Sequence, residues 1–116
     1  MASVEDQTVQ FGFAALRAGH VGDAEQLFKK VLATNSRHVG ALNLLSVLLT
    51  QRGRFADAEK YVRRALTENS ASDATLYNYG IILKALNRPA ESLERFSQAL
   101  AINPAAAETW NNRGTL

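Results

Sequence analysis

The chain has no cysteine and only two prolines, one methionine and one tryptophan among its 116 residues. Without cysteine it can form no disulfide, no thiolate nucleophile and no zinc site built on sulfur. Long apolar runs are missing too. The stretch from Leu44 to Leu49 is interrupted by Ser46 and falls far below the roughly 20 residues that span a bilayer. No basic leader precedes an apolar segment, since Glu5 and Asp6 come almost at once, so no secretory signal is expected. Neither sign of charge is in marked excess: 13 Lys and Arg stand against 11 Asp and Glu, for a net charge of +2. A nucleic-acid binder would show a clustered basic surplus. The expectation is a cytoplasmic chain with no membrane span and no nucleic-acid partner.

A catalytic constellation is also lacking. His20 falls in a turn and His38 in a linker, neither at ligand spacing from another metal-binding side chain. The run from Gly19 to Gly22 has too few glycines, and no strand before it, for a phosphate loop. The acids read as helix-end and ion-pair groups. The expectation is a chain that is not an enzyme and uses no cofactor and no metal.

What the sequence does contain is a strict internal period. Ala24, Ala58 and Ser92 stand 34 residues apart, as do Phe28, Val62 and Phe96. The same register relates Val31, Ala65 and Ala99, then Gly12, Ser46 and Gly80, then Asn35, Asn69 and Asn103. A repeat long enough for two amphipathic helices predicts an all-α chain, an α-solenoid of antiparallel helix hairpins. Helix A of the first unit is expected over Val4–Arg17 and helix B over Gly22–Ala33, with Gly19 at the turn. The second unit repeats this over Val39–Gln51 and Phe55–Thr67, with Gly53 at the turn. In the third, Ser72 or Asp73 caps helix A, Asn87 takes the turn position, and Pro89 opens helix B, where its missing N–H costs nothing. Asp23, Asp57 and Glu91 fall in first turns, where acids complement the helix dipole. Asn35 and Asn69 are expected to close helices in the left-handed conformation. Glu25–Lys29, Glu59–Arg63 and Glu91–Arg95 have the spacing of i,i+4 pairs, which makes Lys29–Lys30 and Arg63–Arg64 a solvated face. Small residues recur on each hairpin so that its helices can approach, with Phe11, Leu45, Tyr79 and Phe28, Val62, Phe96 filling the spaces between.

The motif Ala24…Phe28…Val31, repeated as Ala58…Val62…Ala65 and as Ser92…Phe96…Ala99…Pro104, resembles helix B of the tetratricopeptide repeat family. Helix A follows as Phe11-Gly12, Leu45-Ser46 and Tyr79-Gly80, with a fourth start at Trp110…Arg113-Gly114. The resemblance divides a single 1–116 domain into repeats at about 5–38, 39–72 and 73–106, plus a partial unit at 107–116. It implies a piece of a longer array, bacterial in look, with three full repeats and the first helix of a fourth. Arg113 stands where the family has Leu, Thr8 replaces a bulky residue, and the first two units lack the closing Pro.

The resemblance implies a superhelix whose A helices line a concave, peptide-binding groove. Carried over residue by residue, that groove takes Asp6, Val9, Gln10, Phe13 and Arg17 from the first unit. The second contributes Asn43, Leu44, Val47 and Gln51; the third contributes Tyr77, Asn78, Ile81 and Lys84; Asn111 and Asn112 continue the face. Apolar side chains among amides suit a protein or peptide partner; for Val47 and Ile81 the alternative is packing on the neighbouring A helix. The family's carboxylate clamp is not expected, because its positions hold Val9, Phe13, Leu44, Ala74 and Asn78, with no cation. The asparagine ladder of O-linked N-acetylglucosamine transferases is matched by Gln10, Asn78 and Asn112 but broken at Leu44. The alternative reading is therefore a substrate-recognition arm of a larger enzyme, such as a glycosyltransferase or methyltransferase. An RNA-binding pentatricopeptide array would need a strongly basic groove, whereas this one offers mainly Arg17 and Lys84. An uncapped fourth helix around Trp110 would also permit end-to-end self-association.

Overall fold

The computed structural model describes residues 3–105, and the partial fourth unit, with Trp110, Asn111 and Asn112, lies outside them. Six helices follow in order: α1 (Val4–Arg17), α2 (Val21–Thr34), α3 (Val39–Gln51), α4 (Phe55–Glu68), α5 (Asp73–Ala85) and α6 (Pro89–Ile102). No strand occurs among the described residues. The pairs α1/α2, α3/α4 and α5/α6 are the hairpins, and each packs on the next through α2 on α3 and α4 on α5. The A helices α1, α3 and α5 also touch in succession, and they form one wall of the solenoid.

Sequence alone dictates the hairpin turns. Gly19, Gly53 and Asn87 have φ of 87°, 75° and 62°, the left-handed region that only glycine and asparagine enter readily. Each turn closes with a bond that reaches back five residues: His20 N–H to the Ala15 carbonyl, Arg54 to Leu49 and Arg88 to Leu83, at 2.8–2.9 Å. These bonds satisfy carbonyls that the helix end would otherwise orphan.

The linkers differ from expectation. Asn35, Asn69 and Asn103 close the B helices at φ of −141°, −144° and −138°, which is extended rather than left-handed backbone. Side-chain chemistry explains this. The Oδ1 atoms of Asn35 and Asn69 accept the N–H groups of Arg37 and Ala71 two residues on, each at 3.2 Å. This asparagine turn steers the chain toward the next A helix.

The core has a main cluster running from Ala24 and Phe28 of α2 to Ile82 and Leu83 of α5, and a second cluster of Leu76, Tyr77, Phe96 and Ala99 inside the α5/α6 hairpin. Ala24, Phe28, Leu42, Leu45, Leu48, Ala58, Val62 and Ile82 are fully buried. Small residues set the separation within each hairpin: a Cβ on Gly12 would lie 2.6 Å from the Phe28 ring, and one on Gly80 2.4 Å from the Phe96 ring. Ser92 Oγ adds a bond to the Gly80 carbonyl at 2.7 Å. Phe11 breaks the register. Leu45 and Tyr79 are buried at the equivalent positions, but Phe11 is 68% exposed. Among the described residues no hairpin precedes α1 to cover it.

Candidate binding site

The A-helix wall carries most of the expected groove residues, with different degrees of access. On α1, Gln10 and Arg17 are exposed, Val9 is half-buried against the core, and Phe13 is 44% exposed. The Arg17 guanidinium lies over the Phe13 ring at 5.8 Å, within reach of a cation–π contact. On α3, Asn43, Leu44 and Val47 are half-buried and Gln51 is exposed. On α5, Asn78 and Ile81 are half-buried and Lys84 is exposed. Leu44 and Ile81 also pack against core side chains.

Tyr77 corrects the expectation. It is only 5% exposed and its ring meets Phe96 at 5.6 Å between centroids. The bulk of the ring serves the α5/α6 hairpin and is not offered to a ligand. The amides are partly committed as well. Asn43 Oδ1 accepts the Thr75 hydroxyl at 2.8 Å, and Asn78 Nδ2 donates to Ser46 Oγ at 3.0 Å. Together they stitch α3 to α5, and Asn43 Nδ2 and Asn78 Oδ1 have no hydrogen-bond partner among the described residues.

His38 has a role that sequence reasoning missed. Its Nδ1 accepts the Ala41 N–H at 3.1 Å as the α3 N-cap, so its Nε2 carries the proton and donates to Asp6 Oδ1 at 2.8 Å. That bond holds the Asp6 carboxyl below its ordinary value, helped by Ser3. Among the described residues, no group of three His, Asp or Glu side chains has the geometry of a metal site.

The opposite, convex face shows how consecutive hairpins are joined. Glu25 of α2 is buried; it takes Lys29 Nζ at 2.8 Å, Arg52 at 2.7 Å and Arg54 at 3.1 Å. These cations, Lys29 first and then Arg54, hold its pKa below the usual value against the opposing effect of burial. One period later Glu59 takes Arg88 Nη1 at 2.8 Å and the Tyr79 hydroxyl at 3.0 Å. Glu59 therefore pairs with Arg88 and not, as its i,i+4 spacing suggested, with Arg63. Glu91 likewise pairs with Arg88 rather than Arg95. Burial, and then the bond to Glu59, pushes the Tyr79 hydroxyl pKa up.

Two clefts open between successive repeats. One, between the α2–α3 linker and α4, measures about 310 Å³ and includes Ser36, Leu42 and Arg64. Its α4/α6 counterpart measures about 740 Å³, over a floor that includes Leu66, Leu76 and Tyr79.

Tetratricopeptide repeat profiles match residues 10–74 and 49–111, each more than half of the chain. The chain belongs to the tetratricopeptide repeat family. No curated protein matches this repeat sequence. Among solved structures, the repeats are similar to MamA, with a TM-score of 0.83 at 15% identity over 97% of this chain and 70% of that one. The translocator chaperone SycD of Yersinia enterocolitica type III secretion gives 0.83 at 14% identity, over 97% of this chain and 87% of that one. An O-GlcNAc transferase of Thermobaculum terrenum gives 0.80 at 25% identity, over 90% of this chain but 21% of the transferase chain. No helix among the described residues is long and apolar enough to cross a membrane.

Proposed function

We propose that this tetratricopeptide repeat chain is a non-catalytic cytoplasmic scaffold that binds an extended or helical protein segment in its concave groove. The observation that carries this reading is the half-open row of Phe13, Val47 and Ile81 beside the amides Asn43 and Asn78 on three successive A helices. Apolar sockets select side chains, and the remaining amide atoms bond a peptide backbone. The partner is a protein or peptide rather than a nucleic acid, because among the described residues the groove offers only Arg17 and Lys84 as cations.

Phe13→Asp combined with Lys84→Glu tests the groove without touching the core, since both side chains are exposed. Tyr77→Ala is unsuitable because it would loosen the α5/α6 hairpin. Partners captured from host lysate by the wild-type chain should be lost on the double variant. Equal capture by both would remove the groove from consideration.

A second reading, the recognition arm of a larger enzyme, is favoured by one observation: the likeness at 25% identity to an O-GlcNAc transferase. The ladder positions fit it poorly. Leu44 packs on the core, and Asn78 spends its Nδ2 on Ser46.

A further inference from the structure

The convex α4/α6 cleft is not used by the concave groove, and its polar groups are unevenly satisfied. Glu91, which lines it, is held by Arg88, and Arg88 is held in turn by Glu59. Two other guanidiniums line the cleft without a hydrogen-bonded carboxylate among the described residues, and both act on Glu91 only through space. Arg63 takes part in no ion pair there. Arg95 lies over the Tyr79 ring at 5.3 Å and donates only to the Gln98 amide oxygen, at 2.9 Å. Its Nε is buried without any acceptor, an arrangement that folded proteins generally avoid. Between the two arginines the floor is apolar, with Leu66, Leu76 and Ile102 at the cleft.

We propose that this cleft docks a protein segment in which an Asp or Glu is flanked by aliphatic residues. The carboxylate bridges Arg63 and Arg95 through charge-assisted hydrogen bonds. Drawing the Arg95 guanidinium toward the opening also gives its Nε an acceptor. The flanking aliphatic side chains cover Leu66, Leu76 and Ile102, burying apolar area that a bare phosphate or carboxylate ion would leave wet. Charge and apolar floor together favour an acidic–aliphatic protein segment over a free anion.

The test starts with a random-peptide display library panned on the wild-type chain. Synthetic copies of the enriched peptides are then titrated by fluorescence anisotropy against wild type, Arg63→Glu/Arg95→Gln, Arg95→Tyr and the concave-face variant Asn78→Ala. Arg95→Tyr is expected to fold, because Tyr61 already holds the equivalent position one repeat earlier, and it fills the cleft. Peptides rich in Asp or Glu beside Leu, Ile or Val should emerge. Both cleft variants should weaken them on the order of tenfold or more, and Asn78→Ala should leave them unchanged. The proposal is overturned if no acidic–aliphatic sequence is enriched, or if the enriched peptides bind the cleft variants as well as wild type. Dependence on Asn78 alone would likewise overturn it, by assigning those peptides to the concave groove. Should the double variant fail to fold, Arg95→Tyr alone decides.

Discussion

The convex junctions α2/α4 and α4/α6 share an ion pair at the same register, yet the cleft at the first repeat interface has less than half the volume of that at the second. Glu25–Arg54 and Glu59–Arg88 are equivalent across the 34-residue period, and Asp57 and Glu91 each take the same arginine from the following turn. Around this constant pair the flanking residues change. At the first junction Arg37 bonds Glu68 at 2.8 Å, and Arg64 donates to the Ser36 carbonyl at 2.7 Å. One period on, those positions hold Ala71 with Ile102, and Gln98, and neither can span the gap with an ion pair. Tyr61, packed on the core beside the first junction, is replaced by Arg95. The cleft grows from about 310 to about 740 Å³. The repeat register thus sets the joints, while substitutions at the positions around them set the surface between the helices.

The largest expected effect breaks what the junctions share. Glu25→Ala removes the acceptor shared by Lys29, Arg52 and Arg54, and Glu59→Ala removes one of the two carboxylates that hold Arg88 together with the acceptor of the Tyr79 hydroxyl. The acids are largely enclosed but their arginine partners are partly exposed, so each substitution should cost about 1–2 kcal/mol in denaturant unfolding. A loss under about 0.3 kcal/mol at either site would show that the pair is not the joint.

Exchanging what differs comes next. Tyr61→Arg should open the first junction and cost about 1–2 kcal/mol through lost burial. The reciprocal Arg95→Tyr should raise stability by up to about 1 kcal/mol, as filled clefts commonly do. If both exchanges destabilise equally, residue identity at this position does not control closure.

Acid acts on both junctions together, through groups that are mostly more exposed. Glu25, Glu68 and Glu91 have pKa values held below the ordinary 4.5, chiefly by Lys29, Arg37 and Arg88 respectively. A lowered folded-state pKa stabilises the fold above the unfolded value, and that contribution disappears as pH falls through the folded one. The melting temperature should therefore be level above about pH 5 and fall below pH 4.5, with a shallower fall in Glu25→Gln. A flat profile down to pH 3 would contradict these pairings. Smallest is the graft of Arg37–Glu68 onto the second junction as Ala71→Arg/Ile102→Glu. An exposed pair should add only about 0.2–1 kcal/mol, and less in high salt.

Much of this fold is legible in the sequence because hairpin turns and small-residue spacing are local properties. Gly19, Gly53 and Asn87 identify the turns unaided, and the A-helix bounds follow from them. The B helices run a residue or so further than Ala33 and Thr67, because helix ends are set by cap geometry rather than by periodicity. What escapes the reading depends on where long side chains reach across repeats. Glu59 has Arg63 at helical spacing and Arg88 a whole unit away, and only the folded hairpin brings Arg88 closer. Tyr77 sits on the expected groove face but turns its ring to Phe96. The alternation Tyr61/Arg95 is visible in the 34-residue register, as are Arg37/Ala71, Glu68/Ile102 and Arg64/Gln98, and together they are the sequence's sign of the second cleft.

The measurement that bears most directly on the account is an amide NMR titration of the isotope-labelled chain with a segment of a captured partner. Shifts concentrated on α1, α3 and α5 near Phe13, Val47, Asn78 and Ile81 are the predicted result. Shifts confined to α2, α4 and α6, with the A-helix wall unmoved, would contradict binding in the concave groove.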